Sequence, residues 1–423
     1  MGWRQLVLTA GCALAASCAA ATAISADVTV RLLHVEQNQQ ISGFWTDLGK
    51  RYEAAHPGVK VEVQYLENEA YKKKLTTLLQ SSDRPNIIYS WAGGVLRDQV
   101  KAGVIEDLTP VMDASWKARF VPAAIQAYTI GDKTYGVPMH TAQVGFFYNK
   151  DLFAKADVEA ASMESWDGLL GAVKKLQAAG VTPIIAGGGD KWPLHFYWSH
   201  LAIRVGGREA FEAALRGEGK GFADATFIRA GELFKQLADL KPFQPGYLGV
   251  TYPQSSGQFG DGKGAMVLML NGLLGSMKAN AADKVGVPDD KLGWFPFPTV
   301  PGGKGDPGDT LGGLNGWLVT KGSPKEAADF LKFFSEADNQ RQAAERGFYI
   351  PVVLGTQEAL KHPILRQIAE NVSRSKYHQI YYDQMLGPSV GAVVNDISAD
   401  LASGRMKPEE AAEAVQQAWE LAQ

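Results

Sequence analysis

The residues best suited to chemistry lie in Gly187–His200, GGGDKWPLHFYWSH. A three-glycine turn runs into Trp192, His195, Phe196, Tyr197 and Trp198. Two readings fit. The rings can fill a core, although His195, Trp198 and His200 each carry an N–H that must find a partner there. Alternatively, they form a stacking platform, flat apolar faces beside polar hydrogen bonders, suited to an object that is itself flat and polar. A pyranose ring, with apolar C–H faces and a rim of hydroxyls, answers that description.

Other chemistries find less support. HExxH and GxSxG do not occur, and the histidines do not cluster at metal-ligand spacing, so neither a catalytic residue nor a metal or cofactor is assigned. Gly257–Gly264 (GQFGDGKG) approaches a phosphate-binding loop. However, Gly264 replaces the Ser/Thr that would hold magnesium, and a strand pattern follows where a helix is required. Carboxylates are plentiful, which keeps an exported glycosidase with paired acids as a second reading.

The elements that position these residues follow from the rest of the chain. Residues 1–26 carry one cation (Arg4), then an apolar run and small residues, the pattern of a secretory signal peptide. Both cysteines, Cys12 and Cys18, lie inside it. Cys18 as a lipid-attachment site lacks the usual leucine three residues before it. Removing this segment takes the formal net charge from −3 to −4, a balance that attracts neither nucleic acid nor anionic lipid. The remainder, about 400 residues, is too long for one core and suits two domains. Without cysteines, it must rely on burial and not on disulfides.

Asp27–Val35, Val59–Tyr65 and Asn86–Trp91 read as strands separated by helices at Ile41–Tyr52 and Tyr71–Gln80, which is a βαβ pattern with a mostly parallel sheet. Ligands of such sheets sit beyond the carboxyl ends of the strands, where Glu36–Gln40 and Trp91–Gly94 fall. Ile130–Pro138 is a tight hairpin, and the first crossing between lobes is expected after it. Ser165 caps a helix over Trp166–Leu176, and Val181–Ala186 is a strand leading into the aromatic stretch. Ala265–Leu270 is a buried strand, and Leu292–Phe297 with Gly316–Thr320 reads as the return to the first lobe. Ser323-Pro324-Lys325-Glu326 forms a capping box, and Pro408–Leu421 is an amphipathic helix.

Several stretches together resemble the extracellular solute-binding proteins of ATP-binding-cassette importers, the family that includes maltose- and oligosaccharide-binding proteins. They are Ile87–Gly94 (IIYSWAGG), Lys133–Pro138 (KTYGVP), Phe147–Leu152 (FYNKDL), Gly262–Met266 (GKGAM), Gly312–Leu318 (GGLNGWL), Glu326–Phe333 and Asp383–Glu409, in the family's order. The resemblance implies an α/β, two-lobed periplasmic-binding-protein fold of type II character with hinge crossings. The first lobe is expected at 27–137 plus about 285–337, and the second at 138–284 plus about 338–423. It also implies a monomer without enzymatic activity. Such a protein captures a mono- to oligosaccharide in the periplasm and delivers it to the permease subunits.

By the same resemblance, ligand contacts fall on Glu36, Gln39, Asn68, Trp91 and Gly93 after early strands, and on Trp192 and Trp198 of the second lobe. Others fall on Asn271, on Asn315 with Trp317, and on Asp383 in the segment Tyr381–Asp383. His140 and His195 join the set as polar neighbours of these elements. Where many relatives carry a tryptophan after the strand Ala265–Leu270, this chain reads Asn271-Gly272-Leu273, which argues against maltodextrin. Alternative ligands are a sugar acid, a polyol or a phosphate ester.

Overall fold

The computed structural model describes residues 28–423; the expected signal peptide, with Cys12 and Cys18, lies outside the described residues. The strands Val28–His34 and Val59–Tyr65 pair in parallel, Val30 beside Val61, and Val28–His34 pairs in parallel with Ile87–Ser90 on its other edge. The helix Gln39–Ala55 crosses between the first two. Asn38 caps it by accepting from the Gln40 N–H at 2.9 Å, and Ile41, Phe44, Trp45, Leu48 and Tyr52 bury one face. The helix Asn68–Gln80 starts one turn earlier than its apolar spacing indicates, because the Glu67 carboxylate accepts from the N–H groups of Glu69 and Ala70.

Two long strands tie the molecule together. Gly136–Asn149 runs antiparallel to Thr310–Val319 from Gly136 opposite Leu318 to Gln143 opposite Gly312. The far half of the first strand, from Val144 onward, pairs instead with Met266–Leu270 and Leu292–Phe295. One continuous strand therefore belongs to two lobes. The sheet register slips between Pro138 and His140, a bulge beside a proline that has no N–H to give the ladder. Ile350–Pro351 flanks the first strand, and His378–Ile380 flanks the second.

Two hydrophobic cores lie on either side of these strands. The first gathers Val30, Trp45, Ile87, Trp317, Phe330 and Val353. The second gathers Phe146, Trp166, Trp198, Phe234, Met266 and Val394. This division moves the expected boundaries. Leu292, Trp294, Phe295 and Phe297 belong to the second core, so the chain returns along Thr310–Val319 and not near residue 285. The first lobe also extends past residue 337, because Tyr349, Val352 and Val353 pack in its core.

Two further expectations are corrected. Val181–Ala186 is no strand: only Ile184 makes isolated parallel bridges, to Phe243 and Met266, and Pro183 beside it has no N–H for a ladder. Ser323 makes no capping box. Its hydroxyl bonds Thr320 and the Asn86 carbonyl, and the helix Glu326–Phe334 begins without a side-chain cap. By contrast, Ser165 caps Trp166–Ala178 by accepting from the Gly168 N–H at 3.2 Å.

Close strand approach at the crossing depends on glycine. A Cβ at Gly312 would overlap the Ala142 carbonyl oxygen across the ladder and crowd the His378 ring. Gly312→Ala is therefore expected to lower stability by about 1–3 kcal/mol or more through overpacking, measured as the shift in urea midpoint against wild type.

Candidate functional site

A cavity of about 170 Å³ lies between the lobes, directly under the crossing strands. The first lobe supplies Glu36 and Asn38 from the end of one strand, Lys72 and Asn68 from the helix Asn68–Gln80, and Tyr89 and Trp91 from another strand end. The second lobe supplies Trp192, His195 and Phe196 from the helix Trp192–Leu215, and Tyr252, Asn271 and Ser276 from its facing wall. The crossing region adds His140, Asn315, Tyr381 and Asp383. At the mouth the lobes touch: a Cβ on Gly275 would overlap the Asn38 amide. Outside the cavity lining, the exposed Arg97 donates to the Met385 carbonyl at 2.9 Å.

The aromatic stretch is a helix, and its period sorts the two readings of it. Trp192, His195 and Phe196 recur at three- and four-residue spacing on the cleft side. Trp192 packs edge-on against Phe196 and Tyr252, with centroids 5.6 and 5.1 Å apart, and stays partly open. Trp198 points the other way. It is fully buried, its indole donates to the Phe227 carbonyl at 3.2 Å, and its ring meets Tyr382 edge-on.

Nine of the expected residues meet in the cavity: Glu36, Asn68, Trp91, His140, Trp192, His195, Asn271, Asn315 and Asp383. Four do not. Trp198 is core. Trp317 is core as well, wedged among Trp45, Tyr89 and Phe334 with no exposed surface. Gln39 is exposed in a shallow groove at the mouth with Ser42, Tyr65 and Pro253. Gly93 opens a helix at φ +66°, its Cα side pressed against Gln384 and Met385, so its part is close backbone approach between lobes.

Several lining groups had no signal strong enough to be singled out. Phe196 is found once the stretch is read as a helix, one turn beyond Trp192. Lys72 lies one turn beyond Asn68. Tyr252, Phe348 and Tyr349 enter from distant segments, and nothing local in the sequence marks them.

The polar groups are held in fixed orientations. The strand slip at Met139 turns His140 toward the cavity, where Nε2 is 3.3 Å from the Asn315 amide nitrogen. Asn271 Oδ1 accepts from the Gln143 N–H at 3.0 Å, which ties the second-lobe wall to the crossing strand. Glu36 Oε1 accepts from the Asn38 N–H at 2.7 Å, and burial raises this carboxyl above the ordinary range. Lys72 Nζ lies 3.2 Å from Glu69 Oε1, 4.0 Å from Asp383 Oδ2, and 5.7 Å from the centre of the Trp91 ring. Ala92, next to Trp91, holds φ +60° and ψ −153°, a region nearly reserved for glycine, and Ser90 Oγ accepts from its N–H. Among the described residues, no group of three or more His, Cys, Asp or Glu could hold a metal ion.

This arrangement can bind a small polar ring by its faces and rim. The family model of bacterial extracellular solute-binding proteins matches residues 37–341. A binding protein of Brucella abortus is 25% identical over 339 residues, covering 78% of each chain. Among solved structures, one from work on xylan utilization by Caldanaerobius polysaccharolyticus superposes with a TM-score of 0.85 at 25% identity, covering 92% of this chain and 99% of that one. A chitin oligosaccharide binding protein superposes with a TM-score of 0.84 at 25% identity, covering 94% and 99%.

Two outcomes are expected from this geometry. Trp198→Ala should cost about 3–5 kcal/mol of stability, whereas Trp192→Ala, at the cavity wall, should leave the ligand-free melting temperature much closer to wild type. Burial also pushes His34, His140 and His378 down to about 4. Unfolded histidine titrates near 6.5, so these groups favour the folded state above that pH and lose the contribution as pH falls toward 4. Scanning fluorimetry should show a lower melting temperature at about pH 5 than at about pH 7.5.

Proposed function

The chain belongs to the bacterial extracellular solute-binding proteins, and from that membership we propose that it is the carbohydrate receptor of an ATP-binding-cassette importer. It works in the periplasm after export by residues 1–26, acts as a monomer, and hands its ligand to the membrane permease subunits without chemical change. The observation that carries the carbohydrate reading is the cavity wall itself. Partly open rings, Trp91 and Trp192, stand among amide, imidazole and carboxylate groups drawn from both lobes. Ring faces against sugar C–H faces bury apolar area worth about 25 cal/mol per Å². The polar groups meet hydroxyls, and each buried group left unmet costs about 1–3 kcal/mol, which gives discrimination. The xylan and chitin context of the two structures above supports a sugar ligand.

Neither lobe alone encloses the cavity, so binding is coupled to closure. Small-angle scattering should give a smaller radius of gyration with saturating sugar than without. Calorimetry against xylose, glucose, galactose, N-acetylglucosamine and their β-1,4 disaccharides should find at least one binder. Product analysis after long incubation should return it intact; turnover would make the chain an enzyme. Trp192→Ala should weaken that binding by about 1.4–2.8 kcal/mol, tenfold to a hundredfold.

A further inference from the structure

At the base of the cavity two hydrogen-bond acceptors face each other with nothing between them. His195 is 1% exposed, and its Nδ1 lies 2.6 Å from the Trp192 carbonyl oxygen. A carbonyl only accepts, so Nδ1 carries the hydrogen of the neutral ring and Nε2 is left with a bare lone pair. Nε2 has no hydrogen-bond partner, and the atom it faces, at 3.7 Å, is Asp383 Oδ1. Asp383 is 6% exposed. Its other oxygen is already served by Gln384 Nε2 at 3.0 Å and Asn395 Nδ2 at 3.3 Å, with Lys72 Nζ at 4.0 Å. A lone pair on Nε2 beside a carboxylate oxygen is unfavourable unless donors enter from the cavity that both residues line.

We propose that His195 Nε2 and Asp383 Oδ1 form a specificity element for adjacent sugar hydroxyls, one hydroxyl donating to each atom. This rests on the carbohydrate reading above and narrows it to a ligand with a vicinal diol at the inner end of the cavity. Removing either hydroxyl leaves an acceptor buried and unmet, so a deoxy sugar is rejected although it fits. A proton satisfies the same pair. Protonated Nε2 donates to Asp383, the pair closes on itself, and the diol loses one acceptor. Burial opposes that proton; of the groups around His195, Asp383 and the Trp192 carbonyl favour it and Lys72 opposes it, and the Tyr381 ring lies 6.4 Å away. Affinity is therefore highest with the imidazole neutral and falls as pH drops below the ordinary histidine range.

Asp383→Asn separates this role from a structural one. An amide nitrogen in place of Oδ1 donates to Nε2 and meets the pair internally, while the amide oxygen keeps the contacts from Gln384 and Asn395. The ligand-free protein should melt at a higher temperature. Affinity for the tightest-binding sugar of the panel should fall about tenfold or more, with little pH dependence between about pH 5 and 7.5. Loss of either of two adjacent hydroxyls from that sugar should weaken binding to wild type and leave binding to the variant nearly unchanged. On the unmodified protein, imidazole nitrogen NMR should report His195 protonated at Nδ1. A hydrogen on Nε2 at neutral pH, a lower melting temperature in Asp383→Asn, or wild-type affinity in that variant would overturn the proposal. If no sugar of the panel binds, the carbohydrate reading and the diol assignment fall together, while the NMR and melting results still decide whether the acceptor pair exists.

Discussion

The antiparallel ladder between Gly136–Asn149 and Thr310–Val319 is the constraint on which the rest depends. Each strand is too long for one lobe and changes partners midway, so the backbone is shared between two cores that otherwise pack separately. His140 and Asn315, opposite each other in this ladder, are then at the floor of the space between the lobes. Asn271 reaches the same ladder through the Gln143 N–H, so a wall of the second lobe is registered against the floor by one hydrogen bond. The site is thus built on the strands that both cores share.

Electrostatics follow from this placement. Burial in the cavity lining pushes His140 down to about 4 and raises Glu36. Both shifts favour the neutral forms. The charges that remain, Lys72 and Asp383, approach each other across the cleft at 4.0 Å from opposite lobes. With these two charges offsetting each other, the polar lining suits a ligand made of hydroxyls.

Much of this was legible in the sequence. The βαβ periodicity located the first strands, and the loops at their carboxyl ends pointed to Glu36 and Trp91, whereas Asn68 came only from the family resemblance. What the sequence hid was orientation and distance along the chain. Trp192 and Trp198 are both aromatic and six residues apart, and only the helical period separates a cleft ring from a core ring. Trp317 sits two residues from Asn315 on one strand, so both share a face of the pleat; the cavity ends between them, and the ring is enclosed by Trp45 and Tyr89. Tyr252 and Tyr349 were invisible, because the first residue of a short helix (Tyr252–Gly260) and a loop residue (Tyr349) carry no periodicity that reveals what they face. Lobe boundaries failed for a related reason. A buried strand such as Leu292–Phe295 shows its burial in its composition but not the core to which it belongs.

The contact of Asn38 with Gly275 at the mouth has a kinetic meaning. Where this contact closes the opening, a solute behind it leaves only when the lobes separate. Residence time is then limited by how often the gate opens, a collective motion of the microsecond-to-millisecond class, and only secondarily by the strength of contacts inside. Substitutions at the mouth that touch no ligand can shorten or lengthen the lifetime of the complex, and a membrane partner that pries the lobes apart acts on the slow step itself.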